Sequence, residues 1–145
     1  MNKKAIEDIY PLSPTQQGIL FHTLAAPNSG IYVTQLACKI NQALDIPLLK
    51  QAWEIVVSRH QALRTSFHWE NREQPLQVVH RHVAFSWEQH NWQELPEQQQ
   101  SSLESFLEAD RQRGFNLSKP PLMRVTLIQL ANHCYQLIWS QHHIN

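Results

Sequence analysis

The sequence predicts an α/β protein, an α+β two-layer sandwich in which helices pack on a mixed sheet. Segments whose apolar residues recur at helical spacing alternate along the chain with segments in which every second residue is apolar. The sequence contains no internal repeat, and it contains no linker that would separate two folding units. The 145 residues suffice for one domain, or part of one, with a sizeable core, and they are too few for two domains.

Composition argues against several classes of function. The 12 basic and 12 acidic side chains balance, so no overall charge attracts nucleic acid or an anionic membrane. No apolar run approaches the roughly 20 residues that span a bilayer, and the N-terminal lysines are not followed by the apolar segment of a secretory signal. With only three glycines, a phosphate-binding loop is not expected. We therefore expect a soluble, cytoplasmic protein.

The two cysteines fit this expectation. Cys38 and Cys134 both fall in predicted strands among apolar neighbours. A free thiol in such surroundings usually acts as a small buried hydrophobe. We therefore expect two buried, reduced cysteines and a reducing compartment.

The first helix is predicted to begin at Pro14. Ser13 can cap it, and Gln16, three residues after the cap, completes a capping box. The turn-forming residues 26–30 end the helix. Strand-forming residues follow at 31–40, and their alternation predicts a face that turns toward the core. That face consists of Tyr32, Leu36, Cys38 and Ile40.

A second helix and a first hairpin are predicted next. Asp45 can cap a helix that runs to residues 59–60 with its apolar residues on one side. After residue 63 the period of the apolar residues changes from helical to alternating, which predicts a strand beginning at Arg64. Residues 76–80 can return as its hairpin partner. A further short strand is predicted to include Val83, Phe85 and Trp87.

The last third of the chain predicts a helix and a second hairpin. The helix opens at Leu95 and Pro96 and ends at Gly114. Residues 122–130 and 134–141 form the hairpin, and its second strand leads directly into two adjacent histidines.

These two histidines, His142 and His143, are the first candidates for chemistry. Strand alternation places Trp139, Gln141 and His143 on one face and His142 on the other, so the two rings should point in opposite directions. An imidazole titrates near neutral pH and can transfer protons. A structural histidine with satisfied hydrogen bonds is the competing interpretation, and the pattern by itself favours that interpretation slightly.

Other kinds of site have less support. His80 and His82 share a strand face, but no Cys or carboxylate joins them at the spacing of metal ligands, so no metal site is predicted. Arg64 lies at a helix-to-strand junction, where its guanidinium could brace a carboxylate. No serine, cysteine or carboxylate pair stands out as a nucleophile or a glycosidase pair.

Three segments, in this order, resemble motifs of one family. Residues 10–22 are similar to the opening motif of the condensation domains of nonribosomal peptide synthetases, and residues 59–67 are similar to the second motif. The family signature begins with two histidines, followed by three variable residues, Asp and Gly (HHxxxDG), and this chain ends within it at Asn145. Residues 115–124 also resemble a stretch that precedes the signature in this family.

The resemblance implies a fold and a reaction. Residues 1–145 would form the N-terminal lobe of a two-lobed architecture like that of chloramphenicol acetyltransferase, with the C-terminal lobe absent from the chain. An acceptor aminoacyl amine would attack a donor acyl or peptidyl thioester and form an amide. The partners implied are the upstream donor and downstream acceptor peptidyl carrier proteins, the C-terminal lobe and a neighbouring adenylation domain. No cofactor is bound by the lobe, because 4'-phosphopantetheine arms on the carriers present the substrates.

The resemblance also assigns roles to residues. His143 becomes the active-site imidazole, which either accepts a proton from the amine or hydrogen-bonds the tetrahedral intermediate. His142 becomes structural. Arg64 corresponds to an arginine that braces the signature aspartate; this aspartate would fall at position 147, beyond the chain, so the brace would lack its partner.

The opening motif further resembles family members that accept a donor ending in a D-residue. The chain alone is expected to be inactive. Two alternatives stay open, which are an epimerisation domain of the same superfamily and a non-catalytic lobe that docks carrier proteins. Heterocyclising relatives are disfavoured, because they replace the paired histidines with aspartates.

Overall fold

A computed structural model describes residues 5–94 and 96–145, with the backbone alone at Pro96. Its three α-helices are α1 (Pro14–Ala25), α2 (Ile46–Arg59) and α3 (Gln99–Arg113), and short 3-10 turns lie at Gln61–Arg64 and Pro96–Gln98. Its strands are β1 (Ile6–Pro11), β2 (Val33–Ile40), β3 (Thr65–His68), β4 (Leu76–His80), β5 (Trp87–Asn91), β6 (Met123–Ala131) and β7 (Cys134–His142).

The strands form two sheets. The smaller has three strands in the order β1-β4-β3 and is antiparallel throughout. The larger has the order β2-β7-β6-β5, in which β5 and β6 run parallel and the other pairs antiparallel. The predicted combination of helices with a mixed sheet is thus confirmed, as are the hairpins β3–β4 and β6–β7.

The predicted starts of the first two helices are confirmed in atomic detail. The Ser13 hydroxyl accepts the backbone N–H of Gln16 at 3.2 Å, and the Gln16 side chain accepts the backbone N–H of Ser13 at 3.0 Å. Asp45 caps α2 by accepting the backbone N–H of Leu48 at 2.9 Å. Each cap satisfies a backbone donor that the first turn of a helix leaves free.

The third helix ends where predicted, at Gly114, whose φ of 56° lies in the left-handed region that glycine adopts readily. Its predicted opening at Leu95 lies outside the described residues. The α-helix itself begins at Gln99, after the turn Pro96–Gln98.

The prediction that β2 turns an apolar face to the core is wrong. Leu36 keeps 59% of its surface exposed, Cys38 is exposed, and Tyr32 precedes the strand with a left-handed φ of 62°. The reason is that β2 is an edge strand, while Val57 of α2 packs in a cluster with Met123 and Val125 of β6. Cys134 is half-buried, so the expectation of two buried thiols is wrong as well.

One strand was not predicted, and two strands begin at other residues than predicted. β1 was not predicted, because its residues are mostly exposed and pairing with β4 holds it in place. β3 begins one residue after Arg64, which belongs to the 3-10 turn. β5 begins at Trp87 instead of containing Val83 and Phe85, and its polar sequence pairs with β6.

A hydrophobic cluster connects the smaller sheet to the ends of β6 and β7, next to the histidine pair. It joins residues of α1 and β3 to residues beside the ends of β6 and β7: Leu12, Ile19, Leu20, Phe67, Leu117, Leu122 and Ile144. Ile144 follows the two histidines directly and is 1% exposed, so the chain is anchored on both sides of His143. Among the described residues, no helix is long and apolar enough to cross a membrane.

Candidate active site

The candidate site lies where β7 ends. Ser140 and His142 are 1% and 2% exposed, whereas Gln141 is half-buried and His143 is exposed. The predicted alternation is therefore confirmed, with His142 turned into the protein and His143 turned out of it. β7 also pairs with β2 from Tyr135 to its last residue, where Val33 pairs with His142, so the end of the strand is firmly placed.

Hydrogen bonds determine the tautomer of His142. The backbone N–H of Ile144 donates to its Nδ1 at 3.3 Å, so Nδ1 carries no proton. Nε2 lies 3.4 Å from the Thr23 hydroxyl, and that hydroxyl donates to the carbonyl of Ile19 at 2.8 Å. The hydroxyl proton is thus already used, and Nε2 is the donor. His142 is a neutral ring with both nitrogens engaged.

Burial, together with the nearby His143, lowers the pKa of His142 to about 4. At neutral pH the ring is uncharged. This fits the hydrogen bonds, because a proton on Nδ1 would point at the backbone N–H of Ile144, and two donors cannot bond to each other. His142 therefore holds the turn after β7 and does not present a free nitrogen to solvent.

His143 has the opposite environment. Its backbone N–H donates to the carbonyl of Tyr32 at 2.8 Å, and its side chain is exposed. Across the described part of the chain, no protein group forms a hydrogen bond with its ring. The main chain is held while the imidazole remains available to another molecule.

An apolar depression of about 540 Å³ lies beside this strand end. Its walls come from α2, from the turn that follows α2, and from the side of β7 that carries Trp139 and Gln141. Trp53 and Trp139 contact each other there, with ring centroids 5.7 Å apart. His60, Gln141 and Asn145 add polar groups. The full lining is Leu49, Ala52, Trp53, Val56, His60, Ala62, Leu63, Trp139, Gln141 and Asn145.

Gln141 and Asn145, which lie two residues before and two residues after His143 in the chain, both line this depression, so the backbone of His143 passes between two lining residues. An apolar concavity with a few polar groups beside it is typical of a small-molecule site. Alternation predicted that Trp139 and His143 share a side. It could not predict that α2 supplies the opposite wall.

Arg64 is 5% exposed and has a carboxylate partner that sequence reasoning missed. Its Nη1 lies 2.7 Å from the Glu7 carboxylate and also donates to the carbonyl of His80. Hydrogen bonds from Gln61 and Arg64 lower the pKa of Glu7. The Nε of Arg64 is buried and has no hydrogen-bond partner among the described residues. A brace to position 147 lies beyond the chain and stays a prediction.

A buried ionic network behind β7 was also missed. Asp110 of α3 accepts hydrogen bonds from Arg124 Nε, from Ser140 Oγ at 2.6 Å and from Gln35 Nε2 at 2.8 Å. Burial raises the pKa of Asp110, but the bonds from Arg124 and Ser140 outweigh that effect, so the pKa is lowered overall. The network ties α3 to β2, β6 and β7 two residues before His142. Arg124 lies in the segment that resembles the family, but no sequence signal pointed to Asp110.

The other histidines do not join the pair into a metal site. His68 and His80 each place Nε2 on the Ser66 hydroxyl, at 2.9 and 2.7 Å, on the smaller sheet. In residues 5–94 and 96–145, no group of three or more His, Cys, Asp or Glu side chains could hold a metal ion. His22 bonds to Tyr32 and therefore lies near the candidate site, which its place in the sequence did not reveal.

Comparison with known proteins gives consistent results. A model of the condensation domain family matches residues 6–145. Linear gramicidin synthase subunits B and C of Brevibacillus parabrevis are 44% and 41% identical to this chain over 144 and 142 residues. These alignments cover 99% and 97% of this chain but only 3% and 2% of the two relatives. The chain is therefore similar to a small part of much longer proteins.

Solved structures are similar in fold. A four-domain nonribosomal peptide synthetase has a TM-score of 0.85 at 20% identity, over 96% of this chain and 10% of the solved one. The starter condensation domain of rhizomide synthetase has a TM-score of 0.84 at 22% identity, over 95% of this chain and 34% of the solved one. The chain thus spans about a third of that solved condensation domain.

Proposed function

The chain belongs to the condensation domain family of nonribosomal peptide synthetases, and on this premise we propose that the domain containing it forms amide bonds. The donor is an acyl or peptidyl thioester, and the acceptor is the amine of an aminoacyl thioester. Both are carried on the phosphopantetheine arms of carrier proteins. The observation that carries the proposal is the exposed imidazole of His143, whose backbone is held by Tyr32 between two residues that line the apolar depression.

The chemical step needs a proton acceptor or a hydrogen-bond donor beside the reacting atoms, and we assign this role to His143. The amine nitrogen attacks the thioester carbonyl carbon, the new C–N bond forms, and the C–S bond breaks. The amine loses a proton, which ends on the departing sulfur. The His143 imidazole either takes that proton or donates a hydrogen bond to the tetrahedral intermediate. Its exposed ring supports either role.

His142 and Arg64 act as supports in this proposal. His142 is neutral and bonded at both nitrogens, so it fixes the turn that presents His143 and adds no positive charge beside it. Arg64 joins the turn after α2, which forms part of the depression, to Glu7 of β1. In the longer domain its remaining donors would brace the signature aspartate.

We propose that residues 1–145 are the N-terminal lobe and that a C-terminal lobe closes the substrate tunnel over the depression. The family and the mostly apolar lining, which is typical of a wall that becomes covered, support this proposal. The lobe alone would then be inactive. The donor and acceptor carrier proteins and an adenylation domain are its proposed partners, and a donor ending in a D-residue is its proposed substrate type.

The test is a turnover assay with the intact domain and loaded donor and acceptor carriers. His143→Ala should reduce amide formation at least about a hundredfold, in line with the usual contribution of a positioned acid or base. The matched control is His133→Asn in the β6–β7 turn, because His133 is also exposed and its φ of 55° suits asparagine. Undiminished amide formation by His143→Ala would refute the assignment.

The same assay separates the alternatives. An epimerisation domain would interconvert the stereochemistry of one loaded aminoacyl group and would form no amide when the acceptor is supplied. A docking lobe would bind both carriers with no turnover of any donor and acceptor pair. Donors ending in D- and L-residues, compared at equal loading, test the proposed substrate type.

A further inference from the structure

We infer that Tyr32 is a positioning residue for His143, acting through its backbone carbonyl and its ring. This inference rests on the proposed role of His143. Tyr32 is the residue that meets both histidines: its carbonyl accepts the His143 N–H at 2.8 Å, and its ring centroid lies 6.5 Å from that of His142. The sequence had suggested only a core-facing strand residue.

The backbone of Tyr32 is unusual for its residue type. Its φ of 62° lies in the left-handed region, which residues with a side chain generally avoid. Asn28 and Gly30, in the same loop, also have positive φ values, but asparagine and glycine adopt them readily. The strained residue of the loop is therefore the one in contact with the histidine pair, which is where strain tends to have a function.

The left-handed turn has a direct structural result. The β2–β7 ladder ends with the pair Val33 and His142. The turn at Tyr32 places its carbonyl so that one more hydrogen bond follows, to the N–H of His143. That bond fixes the main chain of a residue whose side chain has no bond to hold it. The Tyr32 carbonyl thus limits the positions that the His143 imidazole can adopt.

The ring of Tyr32 keeps this turn in place. Its hydroxyl bonds to His22 Nδ1 at 2.8 Å, and the two rings stack, with centroids 6.1 Å apart and planes 3° apart. His22 lies in the last turn of α1, one residue before Thr23, whose hydroxyl meets His142. Helix α1 therefore reaches the histidine pair by two routes, through Thr23 and through His22 with Tyr32.

Position matters because a displacement of about 1 Å at a reacting group can lower a rate by about a hundredfold. Two substitutions separate the backbone from the ring. Tyr32→Asn and Tyr32→Val both remove the aromatic ring and the hydroxyl, but asparagine tolerates the left-handed region and a β-branched valine does not. If the carbonyl positions His143, both variants lose activity, and Tyr32→Val has a kcat about tenfold below that of Tyr32→Asn. The KM for the loaded acceptor should match in the two variants.

A second measurement does not depend on catalysis. Amide hydrogen exchange at His143, followed by NMR on the intact domain labelled at histidine, should be slow in the native protein and in Tyr32→Asn and faster in Tyr32→Val. Val78→Ala is the control for lost stability, since Val78 is buried in β4 of the smaller sheet and does not line the depression. It should lower the melting temperature without changing the kcat of the folded protein or the protection of His143 beyond the global loss.

Equal kcat and equal His143 exchange in the asparagine and valine variants would overturn the inference. So would a kcat loss that Val78→Ala reproduces at the same melting temperature. Failure of the proposed function has a different result, because His143→Ala would then keep its activity while the difference in amide exchange at position 143 persisted. Tyr32→Phe isolates the bond to His22 and should lower kcat less than Tyr32→Asn.

Discussion

Acid should destabilise this protein through His142. The buried ring has a pKa of about 4, against 6.5 for an unperturbed histidine. One pKa unit corresponds to about 1.4 kcal/mol, so the gap is worth at most about 3 kcal/mol of the free energy of unfolding. That is a large fraction of the roughly 5–15 kcal/mol that stabilises an ordinary domain.

Stability falls with pH because the unfolded chain binds a proton at His142 at a higher pH than the folded protein does. Above pH 6.5 His142 is neutral in both states and costs nothing. As the pH falls below 6.5, His142 becomes protonated in the unfolded chain, whereas in the folded protein it stays neutral until about pH 4. Stability is therefore lost progressively across this window. Burial also lowers the pKa of His68 and of His80, so these two residues act in the same direction.

The assay must separate His142 from these other histidines. Urea unfolding of the 145-residue chain and of His142→Asn, measured from pH 7 to pH 4, gives two curves of stability against pH. Asparagine can accept the N–H of Ile144 as Nδ1 does, and it does not titrate in this range. The variant should be less stable at pH 7 and show the shallower curve. Parallel curves would refute the explanation, and His133→Asn should behave as the unchanged chain.

Two further predictions concern stability. Asp110→Asn leaves the guanidinium of Arg124 buried without its charge partner, so urea unfolding should show a loss of about 3–5 kcal/mol. The double variant that adds Arg124→Met should recover part of this loss; a loss under about 1 kcal/mol in the single variant would contradict a buried ion pair. Ser13→Ala removes the cap of α1 and should cost about 1 kcal/mol in the same assay, whereas Ser13→Asn should cost little. Equal stability of the alanine and asparagine variants would speak against the cap.

Much of the local structure could be predicted because its causes lie close together in the sequence. The capping box of Ser13 and Gln16 needs only residues three positions apart, and both of its bonds are present. The hairpins connect neighbouring segments. The opposite orientation of His142 and His143 follows from the alternation of side chains along a strand, and it required no knowledge of the fold.

The predictions failed where a partner from elsewhere in the chain decides the outcome. Leu36 and Cys38 alternate as core residues do, but β2 is an edge strand and they remain exposed. β1 has no apolar pattern of its own and exists because β4 pairs with it. Burial depends on which elements lie above a strand, and alternation gives only the two sides.

The order of residues alone predicts that two histidines end a strand, that one is turned in and the other out, and which family's motifs surround them. Which groups each histidine contacts depends on the folding of the whole chain. Thr23 from α1, the carbonyl of Tyr32 and the wall formed by α2 all come from distant parts of the chain. Side-chain direction follows from local backbone geometry, whereas burial, tautomer and position depend on contacts that form only when distant segments pack together.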